Sequence, residues 1–334
     1  MKTTAMIVNE YGENAKFTKS EIELPELNEN QVLVEVNATS INAVDNKILR
    51  GVPLGPELPA PLHGDVSGVI VEVGSMVKSF KAGDQVFGIA GGLVGYNGAS
   101  SNHMVVNEEL IYHKPKTLSF NESAALPLVF ITAYEGLVEK AKIEKGQNIL
   151  VIGGTGGVGH QVVQLAKLLG ARVTASVSSD AKAEIVKSLG ADVVINRKEV
   201  ELQDYTKEAG VEGGFDIVFD TVGGEHLDKV WDLVRANGQV ITTTSMEKHD
   251  LTPVHMKGIS LHVVFMLLPM LTGQDQKRHQ EILKFLSKNV ENGNIKSLIN
   301  EKVFNLEEIN AAHEIFEKGD YIGKVVIENS NKLK

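Results

Sequence analysis

Ile149-Leu150-Val151-Ile152-Gly153-Gly154-Thr155-Gly156-Gly157-Val158-Gly159 is the stretch that decides the fold. Four apolar residues read as a buried strand, and a run of glycines follows without a gap. Beyond it, Val158-x-x-x-Val162-Val163-x-Leu165-Ala166-x-Leu168-Leu169 is apolar at helical spacing. Glycines between a strand and a helix permit a tight turn and close approach of the backbone to a pyrophosphate. The helix N-terminus then presents free N–H groups to the anion. A glycine run alone is weak evidence, but a strand before it and a helix after it make it strong.

The surrounding sequence repeats the same design. Gly146, Gly170, Gly190, Gly214, Gly238 and Gly258 recur every 20 or 24 residues. Each stands just ahead of an apolar run, namely Ile149–Ile152, Val173–Val177, Val193–Ile195, Ile217–Phe219, Val240–Ile241 and Leu261–Phe265. Glycine there suits the left-handed turn that ends a helix and feeds a strand. Strands buried on both faces and alternating with helices predict an α/β fold, a doubly wound six-stranded parallel sheet.

The first third reads differently. Val32–Val36, Gly68–Gly74 and Gly83–Gly88 are short strands closed by turn residues, and Pro53, Pro56, Pro59 and Pro61 crowd one loop and argue against helix there. This predicts an all-β, barrel-like module. Near the end, Asn305 caps a helix running to Phe316, and Gly323–Ile327 reads as a last strand that returns to the β module. The expected divisions are residues 1–122, 123–294 and 295–334.

Composition narrows the functions. Over 334 residues, 43 acidic against 33 basic side chains leave a net charge of −10, which argues against nucleic acid as a partner. The chain has no cysteine, which excludes disulfides, a thiol nucleophile and every thiolate metal site. The apolar stretch Leu261–Leu271 carries His262 and Pro269 and falls short of the ~18 residues of a membrane span. No targeting segment is visible, since Glu10 and Glu13 interrupt the N-terminus before an apolar region forms. A cytoplasmic protein is expected, with a homodimer as the commonest oligomer.

The end of the second strand bears on the cofactor. An NAD site places an acid about 20 residues beyond the glycines, to bind the ribose hydroxyls. Here the stretch is Ala175-Ser176-Val177-Ser178-Ser179, with no acid before Asp180. Ser176, Ser178 and Ser179 leave room for a 2′-phosphate, and Lys182 and Arg197 supply cations for it, so NADPH is the expected cofactor. Ser178 or Ser179 reads equally as the N-cap of the next helix, a role compatible with the first.

Further motifs are Ser40-Ile41-Asn42-Ala43-Val44-Asp45-Asn46-Lys47, Gly64-Asp65-Val66-Ser67-Gly68-Val69, Leu126-Pro127 with Thr132-Ala133-Tyr134, Gln164-Leu165-Ala166-Lys167, Asp220-x-Val222-Gly223-Gly224 and Gly323-Lys324-Val325-Val326. Through them nearly the whole chain resembles the medium-chain dehydrogenase/reductase superfamily, and within it the zinc-free quinone oxidoreductase (zeta-crystallin-like) branch.

The resemblance implies a GroES-like catalytic domain beside a Rossmann domain, with the nicotinamide in the cleft between them. In zinc-dependent relatives a cysteine ligand stands where this chain has Asn42, and the metal-binding histidine directly precedes an acid. Here Gly64 precedes Asp65, and His63 is one position too early, a loop residue in this reading. No metal is therefore expected. Asn42 resembles the cleft asparagine at the nicotinamide end, or is a turn-forming residue after a strand. Lys47 matches an Asp-x-Lys form of enone-reducing members, where it would stabilise charge on the substrate oxygen; it reads equally as a surface lysine. Thr132 resembles a nicotinamide contact at the start of a helix. Thr155, Gly156, Gly157 and Val158 would meet the pyrophosphate. Val222, Gly223 and Thr243 would line the cofactor from neighbouring strand ends.

The implied reaction is hydride transfer from NADPH to a quinone or α,β-unsaturated carbonyl. Two alternatives are an enoyl-thioester reductase and an NADPH-binding, crystallin-like protein with little turnover.

Overall fold

In the N-terminal third, short segments of alternating burial pair into antiparallel ladders. The computed structural model describes residues 1–319, 321–329 and 332–333. Strands β1 (Lys2–Val8), β2 (Phe17–Glu23), β3 (Gln31–Ser40), β4 (Ala60–Pro61), β5 (Asp65–Val73), β6 (Gln85–Ile89), β7 (His103–Asn107) and β8 (Ile111–His113) fall here. The helices of this part are α1 (Ala43–Leu49) and α2 (Phe120–Ala124). The segment between α1 and β4, which holds Pro53, Pro56 and Pro59, contains no helix. Helix α1 corrects the all-β expectation. Asn42 sits at its N-cap, and its backbone N–H donates to the Asp45 carboxylate at 2.7 Å, so the residue opens a helix and is not an isolated turn.

The chain then enters α3 (Pro127–Tyr134), and a doubly wound unit follows. Its elements are β9 (Asn148–Ile152), α4 (Gly157–Leu168), β10 (Arg172–Val177), α5 (Asp180–Ser188), β11 (Val193–Asn196), α6 (Tyr205–Glu208), β12 (Phe215–Asp220), α7 (Leu227–Val230), β13 (Val234–Thr242), α8 (Thr252–Lys257) and β14 (Ser260–Val263). All six strands are parallel, in the order β11-β10-β9-β12-β13-β14. The strand order reverses direction between β9 and β12, and crevices for ligands form outside the carboxyl ends at such a point. Leu150, Phe215, Val218, Trp231 and Val240 are almost wholly buried in the core on one face of the sheet. Gly146, Gly170, Gly190, Gly214 and Gly258 take positive φ ahead of their strands. Gly238 does not. It lies inside β13, and Asn237 takes the left-handed conformation at φ +56° instead.

The last elements are α9 (Leu268–Thr272), α10 (Lys277–Glu291), β15 (Phe304–Asn305), α11 (Ile309–Lys318) and β16 (Val326–Glu328). The Asn305-capped helix begins as a single 3₁₀ turn, Leu306–Glu308, before α11. Strand β16 joins the N-terminal sheet, Val326 opposite Ser40 and Glu328 opposite Ala38. The larger sheet runs β15-β16-β3-β5-β6-β8, with β7 also on β3; the smaller runs β2-β1-β4.

Two compact units result, one of Met1–Leu128, Leu267–Gly293 and Ser297–Lys334, the other of Val129–Met266 and Asn294–Lys296. They differ from divisions at 122 and 294 chiefly through α10. Its buried stripe of Ile282, Leu283, Leu286 and Val290 belongs with the first unit. There Gln280 donates to the Glu108 carbonyl at 2.8 Å, and Ser287 to the His113 carbonyl at 3.3 Å. Among the described residues, no helix is long and apolar enough to cross a membrane.

Candidate functional site

In the second unit each glycine after β9 answers a different steric demand. Gly153 has φ +75°, where a side chain is strained. A Cβ on Gly159 would fall 2.1 Å from the Gly153 carbonyl oxygen, so the first turn of α4 packs directly on the loop. Gly156, at the N-cap of α4, is less crowded, since a Cβ there would meet that oxygen alone, in a tight contact at 3.3 Å. No side chain caps the helix, so the first-turn amides around Gly157 and Val158 are available to an anion. Thr155, within the loop, is buried. The arrangement fits a dinucleotide pyrophosphate.

The neighbouring strand ends sort the remaining predicted contacts. Ser176 is 1% exposed, and its hydroxyl accepts from the Gly153 N–H at 3.2 Å and lies beside the buried Tyr205. It therefore holds the glycine turn from inside and does not face a ribose, which corrects its expected role. Ser178, the first residue beyond β10, is half-buried, and Ser179 caps α5 by accepting from the Lys182 N–H. Lys182 is half-buried and Arg197 exposed. The Arg197 N–H donates to the Val177 carbonyl at 2.9 Å, so Arg197 and Ser178 leave the sheet side by side.

At the reversal point, Thr221 donates to the Ile152 carbonyl at 2.7 Å and ties the β12 turn to the glycine loop. Buried Asp220 accepts from the N–H groups of Val222 and Gly223, each at 3.0 Å. Those two amides are occupied, so Val222 and Gly223 offer a ligand their carbonyls and the exposed Val222 side chain. Thr243 is half-buried after β13. Thr132 is buried near the end of α3, not at its start.

In the first unit, Asn42 lies within a buried polar cluster that sequence reasoning did not assemble. Asp65 Oδ2 accepts from Ser40 Oγ and from Asn42 Nδ2, both at 2.8 Å, while Oδ1 accepts from the Leu128 N–H at 2.9 Å. Lys324 donates to Asn42 Oδ1 and lies 3.3 Å from Asp65. Burial pushes the Lys324 ammonium down from its usual range, against the pull of Asp65 and Asp45. The Asp45 carboxyl is pushed up to about 7 by burial, with the Asp65 charge adding to it. One signal was legible. An acid and a lysine each stand inside an apolar run, in Gly64–Val69 and Gly323–Val326, and ionisable side chains so placed need partners.

Lys47 is exposed on α1 and stands apart from that cluster. His63 is a loop residue, but a wholly buried one at φ +75°. Its Nε2 lies 2.9 Å from His313 Nε2, and His313 Nδ1 lies 3.3 Å from Asn46 Oδ1. Since Oδ1 accepts, His313 carries its proton on Nδ1 and His63 donates through Nε2. His63 Nδ1 is then a buried acceptor without a partner among the described residues. These donors do not fit zinc. The chain has no cysteine, and no group of three candidate ligands comes together among the described residues.

Residues 28–116 match the family described as alcohol dehydrogenase GroES-like domain, and residues 157–288 the one described as zinc-binding dehydrogenase. The chain is 39% identical over 320 residues to a 2-methylene-furan-3-one reductase of Solanum lycopersicum, across 92% of this chain and 74% of the relative. It is 34% identical over 334 residues to a chloroplastic NADPH-dependent alkenal/one oxidoreductase of Arabidopsis thaliana, across 97% and 78%. The crystal structure of an alcohol dehydrogenase superfamily protein from Novosphingobium aromaticivorans matches with a TM-score of 0.92 at 35% identity, over 98% of this chain and 99% of that one. With both domain families matched in order and relatives aligned along nearly its whole length, the chain belongs to the medium-chain dehydrogenase/reductase superfamily of oxidoreductases.

Proposed function

We propose that the protein is a zinc-independent, NADPH-dependent reductase of quinones or α,β-unsaturated carbonyls. The observation that carries this reading is the edge of the sheet beyond β10. Ser178 stands where an acid would select NADH, with Arg197 beside it and Lys182 in the next helical turn. The names of the two plant reductases favour the same substrate class. Bound NADPH supplies the hydride. The chain's own part is to hold the pyrophosphate at Gly156, Gly157 and Val158, and to keep the 2′-phosphate near Lys182 and Arg197. Thr132, Val222, Gly223 and Thr243 complete the cofactor contacts. Asn42 orients the nicotinamide end, and the exposed Lys47 ammonium stabilises negative charge on the substrate oxygen. The setting is cytoplasmic and the assembly a homodimer, which light scattering of the purified protein checks.

A parallel assay of purified protein with NADPH and NADH against 1,4-quinones, enals and enoyl thioesters tests the proposal. Turnover of quinones or enals with NADPH is expected, and Lys47→Ala should lower it roughly tenfold or more while leaving NADPH affinity intact. Preference for NADH, or activity restricted to simple alcohols and restored by added zinc, would overturn the reading.

A further inference from the structure

Asn42 is gripped at both ends by groups that can bond it in one sense only. Its Nδ2 donates to Asp65 Oδ2 at 2.8 Å, and its Oδ1 accepts from Lys324 Nζ. An ionised carboxylate only accepts and an ammonium only donates. Turning the amide over would set its oxygen against the carboxylate and its NH₂ against the ammonium. Both contacts would be repulsive, and neither would be screened, because the side chains of Lys324 and Asp65 are 3% and 0% exposed. The ammonium therefore does more than pair with Asp65 at 3.3 Å, since it also donates to the Asn42 oxygen. Asp65 is itself held by Ser40 and the Leu128 N–H, so the grip is anchored on β3, β5 and the start of α3.

We propose that Asp65 and Lys324 are positioning residues that fix the Asn42 amide in a single orientation for hydride transfer. The proposal rests on the reading of Asn42 as a contact of the nicotinamide end. It adds two residues that act through Asn42 rather than on the cofactor or substrate.

Three variants test it in the full chain: Lys324→Met, the conservative Lys324→Arg, and Asn42→Ala. Should Lys324→Met leave Asp65 uncompensated and fail to fold, Asp65→Asn combined with Lys324→Met removes both charges together. Lys324→Met is expected to lower kcat roughly tenfold or more while the NADPH Kd moves less than about threefold. The kinetic isotope effect with 4-deuterated NADPH should rise, because misorientation slows the hydride step. A lower folded fraction would leave that effect unchanged. Lys324→Arg should recover part of the loss. Combining Lys324→Met with Asn42→Ala should lose no more than Asn42→Ala alone. The Asn42 side-chain NH₂ resonance in ¹⁵N-labelled protein, assigned by its disappearance in Asn42→Ala, should shift in Lys324→Met. An unmoved resonance, an unchanged isotope effect or multiplicative losses in the double variant would overturn the positioning role. Full turnover by Asn42→Ala would instead overturn the reading of Asn42, and the resonance would still decide its orientation.

Discussion

Ser176 and Ser178 are two residues apart on the same face, but Ser176 lies buried within β10 and Ser178 just beyond its end, and the difference decides what a carboxylate would do at each. At Ser176 an acid would be buried against the Gly153 amide and Tyr205, so Ser176→Asp should destabilise the unit and is no probe of cofactor choice. Ser178→Asp places the charge at the strand end beside Arg197, and should shift preference toward NADH. Lys182→Ala with Arg197→Ala should weaken NADPH binding by one to two powers of ten with little change for NADH, and the gap should close as salt is raised. Titrations with both cofactors at two salt concentrations check this, and equal losses for both would refute the phosphate contact. Sequence placed all of these residues at one strand end. It could not tell inward from outward among small hydroxyls, because Ser176 and Ser178 share a face by alternation and differ only in whether the strand still covers them.

Within elements, the glycine turn and helix α1 make separable predictions. Gly156→Ala sets a Cβ 3.3 Å from the Gly153 carbonyl oxygen, a tight contact that a shift of a few tenths of an ångström relieves, so stability should change by only about 1 kcal/mol while the new methyl obstructs the anion and NADPH affinity falls at least roughly tenfold. Gly159→Ala drives a Cβ into the Gly153 carbonyl and should lower unfolding free energy by about 2 kcal/mol or more. Denaturant melts beside fluorescence titrations separate the two. In α1, the native Asp45 keeps its proton to about 7, whereas in the unfolded chain it ionises near 4. The native state thus binds more protons across that window, so this residue's contribution to stability falls as pH rises from about 4 to 7. Asp45→Asn keeps an acceptor for the Asn42 N–H and removes the charge. It should stabilise the protein by ~1–3 kcal/mol at pH 8 and hardly at all at pH 4. The sheet was legible because its strands are buried on both faces and punctuated by glycines at a regular interval. Helix α1 was not, since seven residues give too little periodicity to separate from a turn. Gly238 broke the glycine rule because Asn tolerates the left-handed region well enough to take the turn one residue early.

Over the whole molecule, burial of ionisable groups sets the acid limit. His63 is held well below its usual range by burial, with His313 and Lys324 adding to it, and burial lowers His313 to about 3. The unfolded chain gains these protons below about pH 6.5 and the native chain does not, so stability present above 6.5 is lost as pH falls toward 3. Denaturant melts at pH 7.5 and 4.5 should differ by about 2 kcal/mol or more, and His313→Gln should flatten that limb; an unchanged slope would mean that the pair does not titrate in unfolding. Asp45 opposes this trend over the same range. Local pattern marked Asp65 and Lys324 as ionisable groups in need of partners but could not pair them, and nothing local pointed to the His63–His313 pair. Lys324 is 259 residues from Asp65 and His313 is 250 from His63, separations that only the finished topology brings together.

That topology also imposes an order on biosynthesis. The doubly wound unit is almost continuous, Val129–Met266 with only Asn294–Lys296 to follow, so a nascent chain can complete it early. The first unit cannot be completed until its last strand leaves the ribosome, because β16 covers the edge of β3 and Lys324 supplies the cation beside Asp65. Until then the N-terminal segment waits with an open strand edge and an uncompensated acid, the state most exposed to chaperones, proteases and mispairing. A premature stop just ahead of Lys324 would therefore damage a unit whose first strands are made long before it.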